Sequence, residues 1–338
     1  MNLALGTLYA LASGVCNGLF TAPMKIIPRW KWENIWLVFI LTACLAMPAA
    51  IVFSTIGNPA DLFAAAPGGA VRAAVLFGFA WGFGAILFGL SVDALGVSLA
   101  NSLVIGISSA LGSIVPLIVQ GALRIEPRQV VLFLGVLVFL GGVALCGAAG
   151  RVRERGLGSA AKSKRPLGAA YAFCIGSGIM SAIFNVGYSL ALPIADTGVA
   201  AGLSRFSATN AIWLLMLGAG AVPNIFFCGY LLRKNASTRL FTAAAPHKTW
   251  GLSAIMGLLW GGSIFLYGAA TPLLGDIGPS VGWPLSLAVG LLVANLMGLL
   301  LGEWREAPPP AARLMRAGIL TLLAAICICA VSTRIGAL

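Results

Sequence analysis

Two tryptophans inside apolar stretches could recognise a small molecule. Trp81 and Trp260 occupy matching positions in two segments that share a residue pattern at a constant offset of 179 positions. An indole offers an apolar face to a sugar ring and an N–H group to a hydroxyl. The alternative is a packing role, in which Gly82 and Gly261, the residues that follow the tryptophans, make room for a neighbouring helix.

Neutral polar side chains form a stripe in another apolar stretch. Ser177, Ser181 and Asn185 are spaced four residues apart, which places them on one face of a helix. Asn17 follows Ser13 at the same spacing near the start of the chain. Two such stripes facing one cavity would supply the neutral donors and acceptors that a polyhydroxylated ligand needs. The alternative is hydrogen bonding between helices.

Asn101 and Tyr267 complete the candidate ligand contacts. Asn101 lies in an apolar stretch where packing between helices is the alternative role, and Tyr267 belongs to the second copy of the repeated segment. We therefore predict a substrate site formed by Asn17, Trp81, Asn101, Ser177, Ser181, Asn185, Trp260 and Tyr267.

The sequence places no carboxylate in the middle of an apolar stretch. Its nine acidic residues fall in connections or near the ends of apolar runs. If transport is coupled to protons, Asp93 and Glu303 are the candidate carriers, because each lies at the end of such a run. The motifs of hydrolases, metalloproteases and P-loop enzymes do not occur. We therefore predict no catalytic residue, no metal, no cofactor and no enzymatic activity.

Composition indicates which elements position these residues. Sixty per cent of the residues are hydrophobic, 9% are charged and the mean hydropathy is +1.00, whereas about a quarter of the residues of a soluble domain are charged. The chain is therefore predicted to be an integral protein of the lipid bilayer. Its net charge of +12 does not indicate nucleic-acid binding, because the basic residues lie in the short segments between apolar runs.

Ten runs are long enough to cross a bilayer, which takes about 20 apolar residues. The predicted fold class is therefore all-α, with ten transmembrane helices. The predicted spans cover residues 3–23, 35–56, 72–93, 98–120, 129–149, 167–191, 206–232, 249–272, 280–302 and 311–333.

Basic residues predict the orientation. The connections on one side of the membrane contain fifteen Lys and Arg residues, and those on the other side contain five. By the positive-inside rule, both termini are expected in the periplasm and the basic linker at 150–166 in the cytoplasm. Tryptophans near the predicted span ends are expected to anchor the protein at the membrane interface: Trp30, Trp32, Trp36, Trp250 and Trp304.

The repeated segment predicts a duplicated architecture. If residues 1–149 and 167–338 are copies of one five-helix unit, the odd number of spans inserts the second copy upside down relative to the first. Inverted repeats are a recurrent architecture of secondary transporters, with the substrate site near the midplane between the halves and alternating access to it. The sequence therefore predicts a secondary active transporter.

Residues along nearly the whole chain form a pattern that resembles a known family. They are Ala22-Pro23-Met24-Lys25, Trp30-Lys31-Trp32-Glu33 and Trp36; Trp81-Gly82, Gly84, Gly89-Leu90, Leu95-Gly96 and Ser98; Ser177, Met180, Ser181 and Asn185; and Asn224, Phe227-Cys228, Trp260, Tyr267 and Glu303-Trp304. This pattern resembles the bacterial L-rhamnose/proton symporters of the drug/metabolite transporter superfamily, and the segment after the first span is its most specific part.

The resemblance implies a multi-pass protein of the bacterial inner membrane that imports L-rhamnose or a related small neutral sugar together with protons. One alternative is a drug/metabolite-type exporter of a small metabolite. Another is a membrane sensor or scaffold that transports nothing, although the sequence offers no signalling domain for that role.

Overall fold

The computed structural model describes residues 2–95, 97–158, 166–242 and 246–335. In this part of the chain, ten helices are long and apolar enough to cross a membrane, which confirms the all-α prediction and the number of spans. They are α1 Leu3–Leu19, α2 Trp32–Thr55, α3 Gly68–Leu95, α4 Val97–Val119, α5 Pro127–Gly156, α6 Leu167–Ala200, α7 Arg205–Lys234, α8 Pro246–Ala270, α9 Gly278–Leu300 and α10 Pro309–Ser332. The connections contain a short helix, Ala60–Ala65, and 3-10 turns at Ala22–Ile26, Thr238–Thr242 and Thr271–Leu273.

Two helices extend beyond their predicted ends. α5 continues to Gly156, so the beginning of the predicted 150–166 linker is helical, while residues 159–165 lie outside the described residues. The predicted sixth span ends before Pro193, whereas α6 continues through it to Ala200. A proline removes one helical hydrogen bond, and membrane helices tolerate this where neighbouring groups satisfy the freed carbonyl.

α2 contains one wide turn. Leu41–Ala46 adopt π-helical geometry shortly before Pro48, which has no N–H group for the α-helical hydrogen bond to the preceding turn. α8 packs against this turn through Gly261, on which a Cβ atom would lie 2.7 Å from Met47 Sδ. The glycine therefore lets α8 approach α2 beside its wide turn.

Glycines also bring other helices into close contact. α1 packs against α8 and α9, and α6 packs against α3 and α4. A Cβ atom on Gly14 of α1 would lie 2.4 Å from Val289 Cβ of α9, and one on Gly178 of α6 would lie 2.7 Å from Ile107 Cβ of α4. Small residues are typical of such contacts, because close packing drives the association of membrane helices.

Two of the predicted interface anchors point into the protein instead. Trp30 is 9% exposed, and its Nε1 donates a hydrogen bond of 2.9 Å to the Leu240 carbonyl. Trp36 lies in the wall of the central cavity. Trp250, by contrast, is 42% exposed. The prediction is wrong for Trp30 and Trp36 because a position near a span end does not specify which face of the helix meets lipid.

Candidate functional site

A central cavity of about 200 Å³ is lined by residues of α1, α2, α3, α4, α6, α8 and α9. Because ligand pockets usually enclose about 300–1,000 Å³, this cavity suits a small ligand. Six of the predicted substrate contacts line it: Asn17, Trp81, Ser177, Ser181, Trp260 and Tyr267. Asn101 and Asn185 are not among its lining residues.

Aromatic rings form much of the cavity wall. Trp81 of α3 and Trp260 of α8 stack on each other, with 5.2 Å between ring centroids and an interplanar angle of 11°. Phe184 lies 5.0 Å from Trp81, and Phe39 lies 5.7 Å from Trp260, between ring centroids. The other aromatic residues of the wall are Phe20, Trp36, Phe88, Tyr267 and Trp283. Such flat apolar faces can stack on a sugar ring.

The two roles considered for the tryptophans occur together. A Cβ atom on Gly82 would lie 2.4 Å from the Gly220 carbonyl oxygen, so this glycine lets α3 approach α7. Gly261 does the same for α8 and α2. The glycines therefore make room for helices, while the indoles of Trp81 and Trp260 line the cavity.

Three buried serines join helices at the cavity wall. Ser13 Oγ of α1 lies 2.8 Å from Ser286 Oγ of α9 and 3.2 Å from Ser263 Oγ of α8. A hydroxyl has one donor and two acceptor positions. The cluster therefore holds α1 against two helices while presenting hydroxyls at the cavity.

The polar stripe of α6 also serves both roles considered for it. Ser177 Oγ donates a hydrogen bond of 2.9 Å to the Gly84 carbonyl of α3, and Ser181 Oγ accepts one of 2.9 Å from Ser108 Oγ of α4. Trp283 Nε1 donates to the same Ser108 hydroxyl at 3.3 Å. Ser177 and Ser181 thus link helices and line the cavity.

Asn185 lies behind the cavity wall. Its Nδ2 donates to the carbonyls of Gly112 at 2.8 Å and Pro279 at 3.1 Å, and its Oδ1 accepts a hydrogen bond from the Tyr267 hydroxyl. The side chain is fully buried. Asn185 therefore orients Tyr267. Because the Asn185 amide is already hydrogen bonded to the protein, the structure does not show Asn185 as a direct ligand contact.

A buried aromatic cluster of Tyr188, Trp213 and Tyr267, which we call the aromatic plug, adjoins the cavity through Tyr267. The Tyr188 and Trp213 rings stack with 4.5 Å between centroids, and the Tyr188 hydroxyl shares a hydrogen bond with Thr271 Oγ1. A Cβ atom on Gly268 would lie 2.3 Å from Trp213 Nε1, so only a glycine leaves room for this indole.

A second cavity of about 200 Å³ includes Gly268, which packs against Trp213 of the plug. It is lined by Tyr9 of α1, Arg205 and Thr209 of α7, and Gly268 at the end of α8. Arg205 forms an ion pair with Asp196 across 2.6 Å. The second cavity therefore differs from the central one, because a charged group lies in its wall.

The residues of the cavity wall differ in exposure. Tyr267 and Trp283 are buried, whereas Asn17, Phe20 and Trp36 are partly exposed. The last three lie near the end of α1 and the start of α2, beside one of the basic connections. The cavity wall therefore includes partly exposed residues beside this basic connection.

The two proton carriers predicted from the sequence lie away from the cavity lining or cannot be placed. Glu303 Oε2 is 3.6 Å from an Arg153 guanidinium nitrogen, and this guanidinium lies 5.1 Å from the centroid of the Trp304 ring. The side chain of Asp93 lies outside the described residues. The proton-coupling roles of both residues stay predictions.

Many lining residues were absent from the predicted site, among them Phe184, Ser263, Trp283 and Ser286. Ser263 occupies the position that matches Gly84 at the repeat offset, so comparison of the two copies could identify it. Phe184 lies between Ser181 and Asn185 in the polar segment of α6. No comparable signal distinguishes Ser286 or Trp283 from other residues of α9.

Ten membrane-spanning helices around a central neutral cavity define a multi-pass membrane transporter. The model of the L-rhamnose-proton symport protein (RhaT) family matches residues 1–334, and the chain belongs to this family. The protein is accordingly a transporter and not an enzyme.

Individual relatives agree with the family match. The chain is 27% identical to an L-rhamnose-proton symporter of Yersinia pestis (strain Pestoides F) over 331 residues, which are 96% of each chain. It is 28% identical to an L-rhamnose-proton symporter of Klebsiella pneumoniae (strain 342) over 314 residues, 90% of this chain and 91% of the relative. These names favour sugar symport over the exporter alternative. A crystal structure of another protein superposes on 97% of both chains with a TM-score of 0.57 and 14% identity, which shows the fold alone.

Proposed function

We propose that this protein imports L-rhamnose, or a related small neutral sugar, together with protons across the bacterial inner membrane by alternating access. The observation that carries the proposal is a neutral central cavity of aromatic rings and hydroxyls in a chain of the symporter family. Among the lining residues whose side chains are described, none is charged. Stacking faces and neutral hydrogen-bonding groups suit a sugar, which carries hydroxyls and no charge.

The six lining residues predicted from the sequence have roles that follow from their chemistry. Trp81 and Trp260 stack on the apolar face of the sugar, and Asn17 and Ser181 hydrogen bond to its hydroxyls. Ser177 and Tyr267 complete the polar part of the wall. Asn185 acts through a wall residue, because it fixes the Tyr267 hydroxyl.

We further propose that residues 1–149 and 167–338 are inverted copies joined by the cytoplasmic linker. Contacts in pairs support this arrangement. Ser13 of the first copy meets Ser263, and Ser177 of the second copy meets Gly84, which is the position that matches Ser263 at the repeat offset. The helices follow the same pairing, with α1 matching α6, α3 matching α8 and α4 matching α9. α1 packs against α8 as α6 packs against α3, and α1 packs against α9 as α6 packs against α4.

We infer that the described conformation is the inward-facing state of this cycle, because wall residues beside a basic connection are partly exposed. If the basic connections lie in the cytoplasm, the central cavity is accessible from the cytoplasm and the aromatic plug closes it toward the periplasm. The second cavity then marks where the sugar enters when the plug opens.

Uptake of labelled L-rhamnose into proteoliposomes, with and without an inward proton gradient, tests the proposal. We expect the gradient to stimulate uptake. Trp260→Ala should raise KM by tenfold or more, which is about 1.4 kcal/mol of sugar binding, because it removes a stacking face. Leu258→Ala is the control, since Leu258 lies on the same helix and is 52% exposed. Absence of rhamnose flux in well-reconstituted protein would refute the proposed substrate.

A further inference from the structure

Glu33 is a buried carboxylate at the start of α2. It is 3% exposed, and it is the only buried acidic residue among those whose side chains the structure describes. Burial of an acidic side chain is unfavourable unless its charge is satisfied by hydrogen bonds. The partners of Glu33 therefore indicate what the carboxylate does.

These partners come from the connection after α7, in the other half of the chain. Glu33 Oε1 accepts hydrogen bonds from Ser237 Oγ at 2.6 Å and from Asn235 Nδ2 at 2.9 Å. Beside them, Asn34 Nδ2 donates to the Ser237 carbonyl at 3.0 Å, and Lys31 Nζ donates to the Asn235 carbonyl at 3.1 Å. We call residues 30–34 and 235–240 the clasp, because they join the two halves.

The clasp is connected to the cavity wall. Trp36, one helical turn after Glu33, lines the cavity, and its Nε1 donates to Asn224 Oδ1 of α7 at 3.1 Å. Asn224 Nδ2 donates in turn to the Gly82 carbonyl at 3.0 Å, directly after Trp81. A change in how α2 is held against α7 therefore reaches two aromatic residues of the proposed sugar site.

We propose that Glu33 takes up the coupling proton, an inference that rests on the proposed symport. The ionised carboxylate accepts two charge-assisted hydrogen bonds, which are stronger than neutral ones. Binding of a proton to a carboxylate oxygen removes the charge, weakens the clasp and frees α2 to move Trp36 in the cavity wall. The titratable or charged groups that face Glu33 are Lys31 on its own segment and Cys228 on α7.

Sugar binding and proton binding are then coupled reciprocally. If protonation of Glu33 shifts the protein between its two access states, and the sugar prefers one of them, each ligand changes the affinity for the other by the same factor. The described state, with the clasp formed and the cavity accessible from the side of the basic connections, is the state that has released its proton.

Glu33→Gln in the full-length, reconstituted protein tests this role. We expect it to keep L-rhamnose exchange in the absence of a proton gradient and to lose gradient-driven accumulation together with sugar-induced proton uptake. Glu126→Gln is the matched control, because the Glu126 side chain is 58% exposed and lies far along the chain from the clasp. Accumulation by Glu33→Gln equal to that of the unmodified protein would overturn the inference.

Ser237→Ala keeps the inference testable if Glu33→Gln does not fold. Removing the Ser237 hydroxyl takes one hydrogen-bond donor from the ionised Glu33 carboxylate, so Glu33 should bind its proton at higher pH. The pH midpoint of L-rhamnose exchange should therefore move to higher pH. Loss of packing alone would not produce this shift. An unshifted midpoint would overturn the role of Glu33. If the unmodified protein shows no gradient-stimulated flux of any sugar, the proposed symport itself fails, and this result is distinct from a failure of Glu33 alone.

Discussion

Individual residues of the central cavity carry two functions at once. Ser177, Ser181 and Ser13 form hydrogen bonds between helices and also line the cavity, and the stacked indoles of Trp81 and Trp260 pack helices while offering apolar faces. Within a membrane such polar contacts contribute about 1 kcal/mol each. Substitution of these residues is therefore expected to change both stability and transport, and variants must be chosen to separate the two.

Tyr267→Phe separates the hydroxyl of this residue from its ring. We expect the free energy of unfolding to fall by about 1–3 kcal/mol, because buried Asn185 Oδ1 loses its donor. The phenyl ring can still pack against Trp283, so a moderate loss of sugar affinity is expected. Thermal unfolding in detergent and uptake kinetics measure the two effects. Tyr230→Phe is the control, since Tyr230 is 57% exposed, and equal destabilisation by both variants would contradict the role of Asn185.

At the scale of helices, α1 depends on its glycine face. Gly14 and Gly18 bring α1 against α9, where added Cβ atoms would lie 2.4 Å from Val289 Cβ and 2.6 Å from the Gly290 carbonyl oxygen. This close approach places Ser13 within hydrogen-bond distance of α8 and α9.

Gly14→Ala is expected to destabilise the protein by about 1–3 kcal/mol, the usual range for overpacking. Uptake should fall with it, because α1 carries Asn17 into the cavity wall. The matched control is Gly229→Ala on α7, where no atom lies within 4 Å of the new Cβ, and alanine favours the helix by about 0.5–1 kcal/mol. A detergent melting temperature for Gly14→Ala as high as that of Gly229→Ala would argue against the close packing.

Sequence patterns predicted the helices better than the orientation of their side chains. Ten spans follow from apolar length alone, because a bilayer admits few other structures. The roles of residues that depend on the rotation of a helix about its axis were harder to predict from the sequence. Asn185 belongs to the same stripe as Ser181, yet it lies one turn further along α6 and donates hydrogen bonds to the carbonyls of Gly112 and Pro279. Trp36 has the sequence context of an interface anchor, and only the contact between α2 and α7 directs it inward.

For the whole molecule, the distribution of charge and the paired contacts between helices support the proposed inverted arrangement of the two halves. Basic residues concentrate on one side, including Arg153 and Arg155 in the last turn of α5 and Arg233 and Lys234 in the last turn of α7. Cations at these positions also interact favourably with the helix dipoles.

The proposed topology predicts the behaviour of reporter fusions. Alkaline phosphatase, which is active only after export, should be active when fused to the C-terminus and inactive when inserted at the 150–166 linker, because the fifteen basic residues stay in the cytoplasm. A fluorescent protein that folds only in the cytoplasm serves as the complementary control. Active phosphatase at the linker would reverse the proposed orientation, and with it the assignment of the inward-facing state.

None of the described residues that line the central cavity is charged, and this has an electrical consequence for the proposed cycle. A neutral sugar in a neutral cavity carries no current, so the membrane potential acts on transport only through the accompanying proton. Each elementary charge moved across 100 mV corresponds to about 2.3 kcal/mol. For one proton per sugar this permits roughly fifty-fold accumulation. Sugar-evoked currents measured at a solid-supported membrane should therefore scale with sugar flux and reverse with the total proton driving force.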